Sequence, residues 1–248
     1  MLSHSFGWKR DSLDKRDIYF EEEFTGTLPV SVDLRPLCPP VYNQGQLGSC
    51  TANAIASALD FQRKKQGEAF ISPSRLFIYY NERLAEGTVE SDAGASIRDS
   101  VKAVVKQGAC PESLWAYTPD MFTIEPSTFC YTDAVKFEAL KYLKLKQTAL
   151  SFKTVLAQGY TFVCGISVYD SFMTPKKGFV PVPKTSENLL GGHAQEYVGY
   201  EEINGVPYFI GKNSWGTSWG LSGFYYMPAE YLLDPDLASD FWVLKVVK

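Results

Sequence analysis

Asn43-Gln44-Gly45-Gln46-Leu47-Gly48-Ser49-Cys50-Thr51-Ala52 is the stretch on which the reading of this chain turns. Two glycines give it a tight backbone that a second chain can approach closely. A helix is predicted to begin at Cys50, with Ser49 as its N-cap, Ala52, Ile55, Ala56 and Leu59 on one face and Gly67 as its stop. A cysteine in the first helical turn lies at the positive end of the helix dipole. That position favours the thiolate, the nucleophilic form. Taken alone, the stretch is also compatible with an inert cysteine that happens to open a helix.

Two segments downstream decide against the inert reading. Gly191-Gly192-His193-Ala194 opens a β-rich run, and Lys212-Asn213-Ser214-Trp215-Gly216 follows a predicted hairpin at Asn204-Gly205. The chain has only two histidines, His4 and His193. His4 lies in a polar N-terminal stretch, so histidine-dependent chemistry falls to His193. An imidazole can take a thiol proton and later give one to a leaving amine, provided a third group fixes its ring. The Asn213 side-chain oxygen can accept from the imidazole N–H, and Trp215 can shield that bond from water.

Composition narrows the remaining choices. Of 248 residues, 45 % are hydrophobic and 21 % charged, which is ordinary for a globular chain. The net charge of −4 and the scattered basic residues argue against a nucleic-acid partner. No apolar run is long enough to span a membrane or to form a signal-peptide core. The chain is therefore expected in the cytoplasm, or otherwise outside Sec-dependent export. Five cysteines at irregular spacing suit neither a disulfide framework nor a zinc site, and neither metal nor cofactor is expected. Cys38, Cys110, Cys130 and Cys164 read as structural thiols whose pairing the sequence leaves open.

Three predicted helices follow one another. The first starts at Cys50, the second follows a Ser72-Pro73 cap and ends by Gly87, and the third carries Ile97, Val101, Val104 and Val105 before Gly108. β-formers dominate later, over 161–169 and 206–211, with a short helix near 152–157 stopped by Gly159. Helices first and strands afterwards predict an α+β protein with a helical lobe and a sheet lobe, the site lying between them. The predicted bounds are an N-terminal extension at 1–28 and a main domain at 29–248. Within that domain the helical lobe spans about 32–112, the sheet lobe about 113–230 and a C-terminal tail 231–248.

From Val32 to Trp219 the order and spacing of these segments resemble the papain/cathepsin cysteine peptidases. The resemblance implies an α+β, two-lobe papain-like fold, a helical lobe plus an antiparallel β-barrel-like lobe with the active-site cleft between them, and a cysteine endopeptidase acting on protein or peptide substrates through an acyl-enzyme. It implies that Gln44, six residues before Cys50, supplies the side-chain half of an oxyanion hole, with the Cys50 N–H as the other half. Gln46 is the neighbour not chosen. It further implies that Gly94 pairs with the substrate backbone, that Ala95 and Ala194 line a roomy main specificity pocket, and that Trp219 walls the leaving-group side. Exopeptidase action of the cathepsin B kind needs further histidines. Leu47 and Ser91 stand where the family often has a disulfide, and Thr51 where it has Trp. Gln195 and Glu196 have no ready explanation beyond a pairing of Glu196 with a cation in the sheet lobe.

Amide transfer or ligation is an alternative outcome of the same acyl-enzyme. A catalytically silent binding module would have lost one of the four key residues, and a metal-dependent hydrolase lacks its ligands. Residues 1–28 are highly charged but contain Phe6, Trp8, Ile18, Tyr19 and Phe20. That apolar surface is enough to dock. The extension is therefore expected to lie against the body and to cover the cleft as a short pro-segment, as in a zymogen. Packing on the back of a lobe is the alternative.

Overall fold

The computed structural model describes residues 5–21 and 26–247; His4, and Glu22 and Glu23 of the acidic run, lie outside the described residues. In chain order the regular elements are β1 (Trp8–Lys9), β2 (Val32–Asp33), α1 (Cys50–Lys65), α2 (Arg75–Glu86), β3 (Ala95–Ser96), α3 (Ile97–Lys106) and α4 (Thr128–Ala134). They are followed by β4 (Ala139–Lys144), α5 (Ala149–Ala157), β5 (Phe162–Tyr169), β6 (Leu189–Ile203), β7 (Val206–Lys212), β8 (Phe224–Pro228), α6 (Ala229–Leu233) and β9 (Ala238–Val247). The architecture is two-lobed α+β, with helices packed against an antiparallel sheet ordered β4-β9-β5-β6-β7-β8 and β2 added on β6. Among the described residues no helix is long and apolar enough to cross a membrane.

Helix α1 is central to this arrangement. Every residue from Cys50 to Arg63 is buried, because one side meets α2 and α3 while the other crosses β6 and β9. Its alanines let both lobes approach, and two of its buried polar side chains tie it to neighbouring segments. Asp60 accepts from the Ile71 and Ser72 N–H groups at 2.9 and 3.1 Å, and Gln62 Nε2 donates to the Lys245 carbonyl at 2.6 Å. Ser49 does not cap α1 with its side chain. The hydroxyl instead pairs with Tyr117 at 2.6 Å and accepts from Asn53 Nδ2 at 3.0 Å. Nor is Ser72 the cap of α2. Ser74 accepts from the Phe77 N–H at 3.1 Å, and Gly87 ends the helix in the left-handed conformation at φ 71°.

The hairpin between β6 and β7 turns at Asn204 and Gly205, both at positive φ (53° and 77°), as a two-residue primed turn requires. In the sheet lobe, rings of Phe152, Phe162, Tyr197 and Phe241 stack in succession with centroids 4.5–5.2 Å apart. The expected lobe bounds need adjusting. Trp115, Tyr117, Met121 and Phe122 pack against the helical-lobe core, and Cys130 and Ala134 join Phe77 and Cys110. The helical lobe thus runs on beyond residue 112. Residues read as a C-terminal tail supply β9, an interior strand between β4 and β5.

β9 joins the lobes through Trp242. The ring is 2 % exposed within the helical-lobe core, and its Nε1 donates to Asp11 Oδ2 at 2.9 Å. Trp242→Ala is expected to lower the unfolding free energy by about 3–5 kcal/mol, through lost burial and the cavity left behind. Urea denaturation measures this; a loss under about 1 kcal/mol would remove Trp242 from that role.

Candidate active site

The loop before Cys50 is held from three directions. Asp92 accepts from the Gly48 N–H at 3.0 Å, and the Tyr79 hydroxyl donates to the same carboxylate. Arg75 donates to the Asn43 carbonyl and to Asn53 Oδ1, each at 3.2 Å, pairs with Glu112 at 2.6 Å and lies 3.9 Å over the Tyr117 ring. The Tyr117 hydroxyl donates to the Gln44 carbonyl at 3.0 Å. Cys50 is therefore delivered at the start of α1 by a fixed turn. Thr51, beside it, donates to the buried Glu82 carboxylate at 2.7 Å, a polar contact where the family places an indole. Burial pushes the Glu82 carboxyl up to about 8.

Strand β6 brings the imidazole to this helix end. Cys50 and Ala194 lie in one buried cluster where α1 meets β6, and the backbone N–H groups of Ala194, Gly7 and Thr51 favour the Cys50 thiolate. The thiol is completely buried; that burial pushes its pKa up to about 11, with the three N–H groups pulling against it. His193 precedes Ala194 and is also fully buried. Its Nε2 lies 2.9 Å from Asn213 Oδ1, and Trp215 stacks on the ring with centroids 4.8 Å apart at 22°. With Nε2 committed to Asn213 as donor, Nδ1 is the ring nitrogen that can serve as base.

Asn213 is itself over-determined. Its Oδ1 also accepts from the Ser214 N–H at 2.7 Å and from Gln195 Nε2 at 3.1 Å. Gln195 thus has a role that the sequence reading did not find. The available signal was the strand period of two, which puts Gln195 on the same face as His193. Glu196 faces the other way. Its carboxylate meets the Ser57 hydroxyl of α1, which also accepts from Lys212 Nζ at 2.5 Å, and Lys212 is its cross-strand partner in β7. This cluster is buried at the lobe interface, directly behind Asn213.

Gln44 is buried and aimed, whereas Gln46 is exposed. Gln44 Oε1 accepts from the Ser214 hydroxyl at 2.6 Å, which leaves Nε2 to donate to the Leu47 carbonyl at 3.0 Å and the Ser5 carbonyl at 3.2 Å. Ser214 is a second residue that the sequence reading passed over. Trp219 meets Trp215 edge-on at 5.4 Å and stacks on Phe172 at 5.3 Å, extending the aromatic side of the site. Trp215, Trp219, Gln44, Asn213, His193 and Cys50 are thereby brought together from loop, helix and sheet.

Gly94, Ala95 and Ala194 lie on the other flank, against the N-terminal segment. Ala95 N–H donates to the Gly7 carbonyl at 2.8 Å, and β1 pairs in parallel with β3 at Trp8↔Ala95 and Lys9↔Ser96. A Cβ on Gly94, whose φ is 66°, would come within 1.9 Å of the Gly7 oxygen, and one on Gly7 within 1.7 Å of the Gly48 oxygen. The two backbones meet at a distance only glycine permits. Phe6 meets the His193 ring edge-on at 6.4 Å and Trp215 at 6.2 Å. Farther along, Asp17 pairs with Arg98 at 2.6 Å and Lys144 at 3.0 Å, and Phe20 enters the sheet-lobe core. Ile18 and Tyr19, in contrast, stay exposed.

All five cysteines are free thiols, so neither the common disulfide near the nucleophile nor any pairing among the remaining four is formed. Leu47 instead packs in the helical-lobe core.

Comparison with known proteins agrees with this geometry. The family model for papain family cysteine proteases matches residues 28–233. Over 99 % of its length the chain is 37 % identical to an uncharacterized peptidase C1-like protein of Acanthamoeba polyphaga mimivirus, of which it covers 88 %. Mouse cathepsin K is 29 % identical, with 84 % of this chain and 62 % of that protein covered. Among solved structures, xylellain, a cysteine protease from Xylella fastidiosa, superposes with a TM-score of 0.91 at 40 % identity, covering 99 % of this chain and 97 % of that one. Procathepsin B S9 of Trypanosoma congolense shares the fold at a TM-score of 0.76 and 21 % identity, with 90 % and 80 % covered. With a thiol at a helix start, an imidazole on the facing strand and a family match across most of its length, the chain belongs to the papain family of cysteine proteases.

Proposed function

We propose that Cys50, His193 and Asn213 carry the peptide-bond hydrolysis of this cysteine endopeptidase, and that its own residues 5–9 hold the cleft closed. The observation behind the first half is that α1, opening at Cys50, crosses β6, which carries His193 tied to Asn213 and places the adjacent Ala194 in one buried cluster with Cys50. In the open enzyme the α1 dipole and the imidazole favour the thiolate, which attacks the scissile carbonyl carbon. The carbonyl oxygen becomes an oxyanion between Gln44 Nε2 and the Cys50 N–H. His193 then protonates the leaving amine, and a thioester joins the acyl group to Cys50. Water, deprotonated by His193, hydrolyses that thioester and restores the thiol. Asn213 moves no proton; it fixes the ring plane, and Trp215 excludes water from their bond.

The closed state follows from the same groups. The Ser5 carbonyl lies at Gln44 Nε2, the place of the oxyanion, and Gly7 occupies the backbone partner that a substrate would need. Cys50 loses its water and its easy ionisation together. A thiol pKa raised from 9.0 to about 11 ties the closed state to the neutral thiol. Closure is therefore fully supported below the thiol pKa of the open enzyme, and that support is lost as pH rises from there through about 11.

Two measurements test this account. Gln44→Ala is expected to lower kcat by about 10²-fold or more, the usual loss for one oxyanion donor, with Gln46→Ala within a factor of about two. The reverse order would move the oxyanion hole to the other glutamine. The second measurement uses full-length Gly7→Val, whose side chain cannot fit against the Gly48 oxygen. Alkylation of Cys50 by iodoacetamide at pH 7 is expected to be slow in the native chain and at least about tenfold faster in Gly7→Val, with peptidase activity rising in parallel and abolished by added Cys50→Ala. Equal alkylation rates in a folded Gly7→Val chain would refute closure by this segment.

A further inference from the structure

A single nitrogen ties the turn that carries Gln44 to the helix that opens with Cys50. Arg75 Nη1 donates to the Asn43 carbonyl, directly before Gln44, and to Asn53 Oδ1, in the first turn of α1, each at 3.2 Å. The two N–H groups of that nitrogen therefore set how far the turn stands from the helix. Nη2 and Nε grip the Glu112 carboxylate at 2.6 and 3.2 Å, the forked geometry that a guanidinium makes and an ammonium cannot.

The guanidinium is itself held between two rings. It lies 3.9 Å from the centroid of Tyr117 and 4.6 Å from that of Tyr42, and Arg75 is 8 % exposed. Both rings belong to the same assembly. The Tyr117 hydroxyl meets the Gln44 carbonyl at 3.0 Å and Ser49 Oγ at 2.6 Å, and the Tyr42 carbonyl accepts from the Gly216 N–H at 2.9 Å. The Gln44 N–H donates to the Ser214 carbonyl at 2.9 Å. Gln44 is thus fixed at its N–H by the sheet lobe and at its carbonyl by the helical lobe, and Arg75 orders the helical-lobe half. Asn53 carries the tie on toward the nucleophile, because its Nδ2 donates to the carbonyl of Ser49 at 2.9 Å. Two donors stabilise one oxyanion only when their spacing lets both reach it. A displacement of about 1 Å between turn and helix would leave the thiol in place and spoil that spacing.

Resting on the proposal that Gln44 Nε2 and the Cys50 N–H form the oxyanion hole, we infer that Arg75 is a positioning residue for the reaction, setting the distance between those two donors, with Glu112 as its anchor. Arg75 acts through its fork of N–H groups and not through its charge, so lysine does not replace it.

The test adds Arg75→Lys to the full-length Gly7→Val chain. For a fluorogenic peptide kcat is expected to fall at least about tenfold, with KM within about twofold. Alkylation of Cys50 by iodoacetamide, a displacement in which no oxyanion forms, is expected to stay within about twofold and reports an intact site. The deciding measurement is a double-mutant cycle. In Gln44→Ala, which has already lost one donor, Arg75→Lys should cost no more than about twofold further. An unchanged kcat, or alkylation slowed as much as turnover, overturns the inference. Should Arg75→Lys not fold, Glu112→Gln keeps the guanidinium and loosens only its anchor. It is expected to lower kcat about threefold with Gln44 present and to leave kcat unchanged in Gln44→Ala, and equal effects in the two overturn the inference. If Gln44→Ala by itself leaves kcat intact, the oxyanion-hole reading falls and takes the inference with it. A large Gln44→Ala effect to which Arg75→Lys adds in full, by contrast, overturns only the role of Arg75.

Discussion

The crossing of α1 over β6 is the contact on which the rest of this molecule depends. It puts the first residue of the helix against the strand that carries His193, with Cys50 and Ala194 in one buried cluster. Neither lobe contains a site by itself. The crossing is fixed by small residues along the helix and by the buried Ser57, Glu196 and Lys212 group, which ties α1 to both β6 and β7. Lys212 is followed directly by Asn213, so the same group sets where the asparagine oxygen stands. An inter-lobe polar cluster of this kind is costly to bury, and it specifies the register of helix on sheet because Ser57 meets both Glu196 and Lys212 only there.

The cleft above this crossing is made largely of missing side chains. Gly94 lets another backbone approach β3, while Gly165 and Gly192 open a slot in the sheet. Such a surface accepts any extended chain of the right shape, including the one attached to it. The local concentration of a tethered segment favours it over a free peptide, and it needs no large area to compete. Its docking combines one backbone pair, Trp8 against Gly165 and Gly192, Phe6 on His193 and Trp215, Phe20 in the sheet-lobe core, and Asp17 paired with Arg98 and Lys144. On the proposed reading, this docking and the burial that raises the Cys50 thiol pKa act together.

Much of this was legible in the sequence because it rests on local patterns. A glycine loop before a cysteine, a histidine after two glycines and the Asn-Ser-Trp-Gly turn are short-range signals, and helical and strand periods placed them on elements. What escaped notice depends on register and on long-range pairing. Gln195 was unexplained because its value lies in sharing the Asn213 oxygen with His193, which requires knowing how β6 faces β7. Residues 231–248 read as a tail although they supply β9, since nothing local says that a C-terminal strand will insert between β4 and β5. Ser49 and Ser72 looked like helix caps by position. Tertiary partners took the hydroxyl of the first, and Ser74 displaced the second.

The most direct test of the whole account is a crystal structure of the full-length Gly7→Val chain reacted with a peptidyl epoxide. The account requires a thioether bond to Cys50 Sγ, the inhibitor backbone paired with Gly94 and Ala95, His193 still bonded to Asn213, and residues 5–9 displaced from the cleft. Reaction at another cysteine, or an inhibitor bound with residues 5–9 still lying on Ala95 and Gln44, would contradict it.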